Sequence, residues 1–327
     1  MLIYIEKKIK DFPLSQEILQ KFKTAQVLEI DHYKNIFDKK INNDKVTPAI
    51  IIAKLEHQNI IDVPQNYGYP GKSYFFKTSL NCIFNCEYCY LKGNFRNQYP
   101  VIFINYEDIQ KTIKEKITGL RNEWYQWQIT FYSSNYSDIQ WLDYISKFNE
   151  SFIPFFETFN NVLMEIRTKS GDIESLLKIN NGIPYKNTEI SFSLNPKEII
   201  QKYEKWTASL DKRLQAIQTL LNWWYKVGLR FLPLLPIKNY EEIYTKFLRY
   251  INTKIDINKI NSIFIASLIY NQWDFKQMQK KNPDSDLWNM VQPSENGLIK
   301  IPDTTFDNFK SIFQSTFPKK EILSDFT

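Results

Sequence analysis

The chain has 327 residues, 43% of them hydrophobic and 24% charged, which excludes disorder over most of its length and fits one large domain or one large and one small. A net charge of +6 and a pI near 8.9 permit nucleic acid as a partner without demanding it, since no basic run exceeds a few residues. No apolar stretch approaches the roughly 18 residues of a membrane span, and three cysteines packed into one short segment make a poor disulfide framework, so a reducing cytoplasm is expected.

The opening MLIYIEKKIKDFPLSQ alternates apolar and charged residues where a signal peptide needs an unbroken apolar core. LIYIE (2–6), AQVLEI (25–30) and AIIIAKL (49–55) are expected to be strands, and SQEILQKFK (15–23) a helix capped by Ser15. Together they suggest a small N-terminal α/β module over 1–72, closed by the turn-rich NYGYPGKS (66–73). Six short apolar runs follow, at 73–79, 127–132, 163–168, 189–194, 229–235 and 262–268, with helical patterns at roughly 106–121, 138–148, 171–179, 197–226 and 240–253. An extra strand is expected at VIFIN (101–105). In SLDKRLQAIQTLLNWWYKVG, Leu210, Leu214, Ile217, Leu221 and Trp224 share one helical face, with Ser209 as the cap and Gly228 after the end. Six strands alternating with helices predict a parallel sheet joined by right-handed crossovers. Such a sheet carries its chemistry at the C-terminal ends of its strands. The expected fold is α/β, a partial (β/α)6 TIM-like barrel over 73–327 with a C-terminal extension.

The first strand of the series runs into NCIFNCEYCYLKG (81–93), which holds Cys82, Cys86 and Cys89, the only cysteines of the chain. Three thiolates on a tight loop can bind three irons of a cubane cluster and leave the fourth iron open to an exogenous ligand. Zinc bound by three cysteines and a histidine is the competing assignment, but the two histidines, His32 and His57, stand far upstream with no ligand-like spacing.

The C-x3-C-x2-C spacing resembles the signature of the radical S-adenosylmethionine (SAM) superfamily, and the repeated βα pattern resembles its partial barrel. Beyond the loop, the chain resembles the spore photoproduct lyase family in YIEKKIKDFPLSQEILQKF (4–22), CEYCYL, RTKSGDIESLL (167–177), SFSLNP (191–196), SLDKRLQAI (209–217) and GLRFLPLLP (228–236). The resemblance implies a [4Fe–4S] cluster on Cys82, Cys86 and Cys89. It implies SAM on its open iron, cleaved by one electron to a 5′-deoxyadenosyl radical, and a reductant such as a flavodoxin or ferredoxin. It also implies a damaged or extruded base in DNA as substrate, and a monomer is expected. Lys169 matches a family lysine that reaches the SAM carboxylate; the bland reading is an ordinary solvated lysine. Ser193 and Asn195 end a strand where polar groups meet SAM or, alternatively, cap the next helix. Arg213 approaches SAM or forms a surface ion pair with Asp211 or Glu204. Tyr88 is expected on the adenine side and Tyr90 as a radical relay, against plain packing of both near the cluster.

One departure stands out. Where the family carries a cysteine that returns a hydrogen atom to the thymine product radical, SSNYSD (133–138) has Asn135, whose N–H bond is too strong for that task. Tyr136 or Tyr132 offers a weaker phenolic O–H, and Ser137 and Asp138 match the family loop. No relay tyrosine is matched in GLIKIPDTTFDNFKSIF (297–313). Two other functions therefore compete with a lyase acting on DNA: a radical SAM enzyme on RNA or a small molecule, and a non-catalytic iron–sulfur or nucleic-acid-binding relative.

Overall fold

The computed structural model describes residues 1–39, 48–57, 59–64, 67–183 and 185–324. The six apolar runs form strands that pair side by side in chain order: Lys72–Phe76, Ile129–Tyr132, Val162–Thr168, Thr188–Ser193, Lys226–Leu234 and Ser262–Ser267. Every pairing among them is parallel. Parallel neighbours need long return paths, and the helical patterns supply them. Among these helices are Tyr106–Asn122, Ile139–Ser146, Leu210–Asn222 and Tyr240–Lys254, each burying an apolar stripe against the sheet. The result is a curled half-barrel. Two edge strands that the sequence did not announce complete it, Ile60–Asp62 antiparallel to the first strand and Ile322–Ser324 parallel to the last.

A second sheet lies ahead of the barrel in the order 26–30, 2–6, 49–53, 101–103, 79–80. It takes strands from both sides of residue 72, because Val101–Phe103 pairs with Ala49–Ala53 and Ser79–Leu80 pairs with Val101–Phe103. The cysteine loop thus begins on a strand of this sheet and lies at the junction of the two. Asn66, the first residue of the turn-rich stretch, lies outside the described residues.

Several sequence expectations are corrected. The N-terminal helix is Pro13–Lys21 and begins at the proline, whose missing N–H costs nothing there. Ser15 is buried inside it and donates to Ile9 O at 2.6 Å, so it is no cap. The 197–226 pattern is two helices, Lys197–Tyr203 and Leu210–Asn222, parted by Glu204–Lys205, which pair antiparallel with Asn85–Cys86, and by Trp206 at φ 71°. Ser209 does cap the second helix, accepting from Lys212 N. That helix ends at Asn222, Trp224 takes the left-handed position at φ 62°, and its side chain is exposed. Gly228 instead lies inside a strand.

The barrel interior is charged. Arg230 Nε donates to Glu165 Oε1 at 2.6 Å and Arg230 Nη2 to Glu189 Oε1 at 2.5 Å, with all three side chains buried. Arg167 adds a second cation on Glu165 at 3.2 Å. Gly228 is required beside them, since a Cβ there would fall 2.5 Å from both Glu189 Oε1 and Ser191 Oγ. Gly228→Ala is expected to destabilise the fold by about 1–3 kcal/mol through overpacking, read from urea denaturation midpoints.

Burial pushes the Glu165 carboxyl up, but Arg167 and Arg230 outweigh it and hold the group at about 2, below its ordinary 4.5. A depressed carboxylate gives stability that is fully present above the unfolded pKa and lost as pH falls through the folded one. The stability of the wild type is therefore expected to fall between pH 4.5 and about 2. Glu165→Gln, less stable at neutral pH, should show a shallower slope of unfolding free energy against pH over that window.

Candidate active site

The loop that carries the cysteines is fixed by its main chain before any side chain matters. Asn81 takes φ 67°, a left-handed geometry that asparagine tolerates, and its side chain donates to Asn97 O at 2.7 Å and accepts from Cys82 N at 3.1 Å. Asn85–Cys86 is held by the ladder to Glu204–Lys205, and Glu87 N donates to Tyr203 O at 2.7 Å. Tyr270 Oη donates to Tyr88 O at 2.7 Å from the far side of the barrel mouth.

Behind the loop sits Glu204, fully buried and ionised. Arg213 Nη2 donates to it at 2.6 Å, Asn195 Nδ2 at 2.9 Å, and Tyr88 Oη makes a short hydrogen bond to it. Burial alone would raise this carboxyl; Arg213 first, then Lys169 and the hydrogen bonds, hold it below the ordinary range. Arg213 also donates to Ser193 O at 2.8 Å, and Asn195 accepts from Tyr244 Oη at 3.4 Å. Arg213 and Asn195 are thus wholly buried and turned to Glu204, and neither lines the cavity described next. The ion pair of Arg213 is a buried one, while Asp211 pairs with Lys197 at 3.0 Å. Asn195 caps no helix either, because Pro196 holds the cap position.

A cavity of about 640 Å³ opens at the C-terminal ends of the barrel strands. Cys82, Cys86, Cys89, Tyr88, Tyr90, Asn135, Lys169 and Ser193 all line it. Asp138 anchors one wall: its carboxylate accepts from Trp141 N at 3.0 Å, Thr168 Oγ1 at 2.8 Å and Lys169 N at 2.7 Å, which fixes the main chain of Lys169. Lys169 Nζ lies 5.7 Å from the centre of the Tyr88 ring. Tyr90 Oη donates to the main-chain oxygen of Asn135 at 2.8 Å. Tyr132 also lines the cavity, with its hydroxyl accepting from Tyr69 N at 2.8 Å. Tyr136 is half-buried outside the lining, with Lys77 Nζ 5.2 Å from its ring centre.

The donor set suits an iron–sulfur cluster. Burial pushes all three thiols above the ordinary range, Cys86 to about 12, and a thiol that coordinates a metal does so as the thiolate. Among the described residues no three His, Cys, Asp or Glu side chains gather tightly enough for a single ion. A cubane, by contrast, spreads its thiolates over separate irons.

Residues that the sequence left unassigned complete the wall: Glu165 and Arg167 on the floor, and Tyr67, Tyr270 and Asp274 toward the mouth. The signal for the first two lay in LMEIRT, where Glu165 and Arg167 alternate with apolar neighbours and so face one side of the sheet. No comparable pattern marked Glu204.

A curled parallel sheet with a three-thiol loop over its C-terminal end defines a radical SAM iron–sulfur enzyme. The model of the family "Spore photoproduct lyase" matches residues 1–288, and the chain belongs to that family. It is 25% identical over 259 residues to the spore photoproduct lyase of Clostridium acetobutylicum, covering 77% of this chain and 74% of the relative. The Bacillus subtilis enzyme of the same name is 25% identical over 270 residues, covering 78% and 72%. The fold matches that of a spore photoproduct lyase double mutant with bound AdoMet and dinucleoside spore photoproduct, at a TM-score of 0.81, 17% identity and coverage of 98% and 97%. Among the described residues no helix is long and apolar enough to cross a membrane.

Removing Arg213 strands a buried charge. Arg213→Met is expected to cost about 3–5 kcal/mol in urea denaturation of the apoprotein, and Glu204→Met/Arg213→Met to recover part of that loss. If the pair positions the loop, both variants should also take up less iron on anaerobic reconstitution than wild type.

Proposed function

We propose that this chain binds a [4Fe–4S] cluster on Cys82, Cys86 and Cys89 with SAM beside it, and acts on a thymine lesion of the spore photoproduct type in DNA. The observation that carries the proposal is the convergence, on one cavity, of the three thiols with Lys169, Tyr88, Tyr90 and Ser193. When bound, the reduced cluster and SAM supply a 5′-deoxyadenosyl radical that removes one hydrogen atom from the substrate. The rest falls to this chain's own side chains.

Lys169 offers a point charge for the SAM carboxylate, on a main chain already held by Asp138. Ser193 presents a hydroxyl from the end of its strand, and the Tyr88 ring forms an aromatic wall whose hydroxyl is committed to Glu204. Asn195 and Arg213 serve as positioning residues behind that wall. Asn135 has no hydrogen atom to give, so the product radical must be quenched by an O–H. Tyr90 is the best placed: it lines the cavity, and its hydroxyl donates to the main chain of residue 135. Its O–H bond breaks, a C–H bond forms on the product, and the phenoxyl left on Tyr90 regains one electron and one proton from the external reductant and solvent. Tyr136 stands outside the lining, and the Tyr132 hydroxyl faces Tyr69.

The test is anaerobic reconstitution with SAM, dithionite and dinucleoside spore photoproduct, following 5′-deoxyadenosine and restored thymine together. Wild type should form both, and Tyr90→Phe should keep deoxyadenosine formation while losing at least about tenfold in thymine restoration. Tyr136→Phe should match wild type. Repair by Tyr90→Phe at the wild-type rate would remove Tyr90 as donor. Deoxyadenosine without repair in wild type, with repair in Asn135→Cys, would point to an RNA or small-molecule substrate. No deoxyadenosine at all would leave a non-catalytic iron–sulfur protein.

A further inference from the structure

The cysteine loop has two faces, and the proposed chemistry uses only one. On its outer face lies a second hollow of about 380 Å³. Cys82 and Phe84 line both hollows, so at that point the loop is the whole wall between them. Among the described residues the outer hollow carries four cations, Lys92, Arg96, Lys205 and Lys281, against one carboxylate, Glu87. We propose that this outer face is the docking site of an acidic one-electron carrier protein, the partner that reduces the cluster. This inference rests on the iron–sulfur reading above.

Three observations support it. The first is distance: the cluster ligand Cys82 borders the hollow, so a carrier seated there approaches the cluster through the thickness of one loop, while the inner cavity stays open for SAM and substrate. The second is charge. Lys205 is exposed on the short strand that pairs with Asn85 and among the described residues forms no ion pair, so its charge is available to an incoming surface. Complementary charge speeds encounter and fixes register more than it adds affinity, which suits a carrier that must leave after one electron. The third is rigidity. Lys281 donates to Lys92 O and to Phe95 O, Arg96 Nη1 donates to Asp38 O at 3.3 Å, and Asn97 Nδ2 donates to Phe37 O at 2.7 Å. The rim is therefore tied to both the N-terminal sheet region and the C-terminal helix Gln272–Lys281. The step itself is balanced: the carrier loses one electron, the cluster gains it, and no bond forms or breaks.

The experiment uses the reconstituted enzyme, its Arg96→Glu/Lys205→Glu variant and a charge-conserving Arg96→Lys/Lys205→Arg variant. Binding of a purified flavodoxin is measured by titration, and deoxyadenosine formation is driven by reduced flavodoxin or by dithionite. The charge-reversed variant should lose about tenfold in flavodoxin affinity and in flavodoxin-driven rate, with iron content and dithionite-driven rate unchanged. The charge-conserving variant should follow wild type, and the difference should close at high salt. Equal flavodoxin binding by all three proteins, or no binding by wild type, would overturn the proposal. So would a loss of duplex DNA affinity in place of flavodoxin affinity, which would assign the hollow to backbone phosphates. If dithionite yields no deoxyadenosine in wild type, the SAM-cleavage reading fails, and the binding arm still decides the docking face.

Discussion

Glu204 is a carboxylate with no access to water, and three structural elements are joined through it. Tyr88 brings the cysteine loop, Asn195 the end of the fourth barrel strand, and Arg213 the helix Leu210–Asn222. The main chain of Glu204 itself pairs with Cys86. An ion pair buried this deeply is a weak source of net stability, because desolvating two charges offsets most of their attraction. What it does supply is geometry. A hydrophobic cluster in the same place would tolerate small slips, whereas a carboxylate with three donors is satisfied in one arrangement only. A loop that must offer three thiols at fixed separations before any iron arrives benefits from that restriction.

The same logic continues down the barrel. Glu165, Glu189, Arg167 and Arg230 fill the interior where a closed barrel would stack aliphatic side chains. Glu189 also takes Tyr69 Oη at 2.6 Å and Ser262 Oγ at 2.9 Å, so both of its oxygens are satisfied. The floor of the cavity is thus polar and rigid, and its upper wall, with Tyr88, Tyr90, Leu232 and Leu268, is aromatic and aliphatic. Radical chemistry needs that upper region shielded from water and from stray hydrogen donors. A charged floor with its groups already paired offers neither loose protons nor mobile side chains.

Most of the barrel was legible in the sequence, because short apolar runs separated by amphipathic helices leave few other arrangements. The cysteine loop was legible because thiols are scarce and their spacing is specific. Two kinds of information were not. In EISFSL the residues Glu189, Ser191 and Ser193 alternate with Ile190, Phe192 and Leu194; the run reads as apolar overall, and only its period of two reveals a polar inner face. Glu204 fell within a continuous helical pattern, and nothing local shows that tertiary pairing with Cys86 breaks the helix there. Trp224 shows the reverse error: its spacing continued the buried stripe, but the helix had already ended at Asn222. Arg213 and Asn195 were expected beside SAM and lie one layer behind the cavity wall, turned to Glu204, since a buried arginine looks the same in sequence whether it touches a ligand or the residue behind it.

Asn135 lines the cavity beside Tyr90, and the local geometry fixes how the two are joined. A thiol at 135 would present its hydrogen through the side chain, so replacing it by an amide removes the donor outright. The bond from Tyr90, however, ends on the main-chain oxygen of residue 135. That acceptor, at 2.8 Å, is present whatever the side chain, while the longer contact to Asn135 Oδ1 at 3.5 Å depends on the amide. The Tyr90 O–H is thus tied to residue 135 chiefly through its main chain.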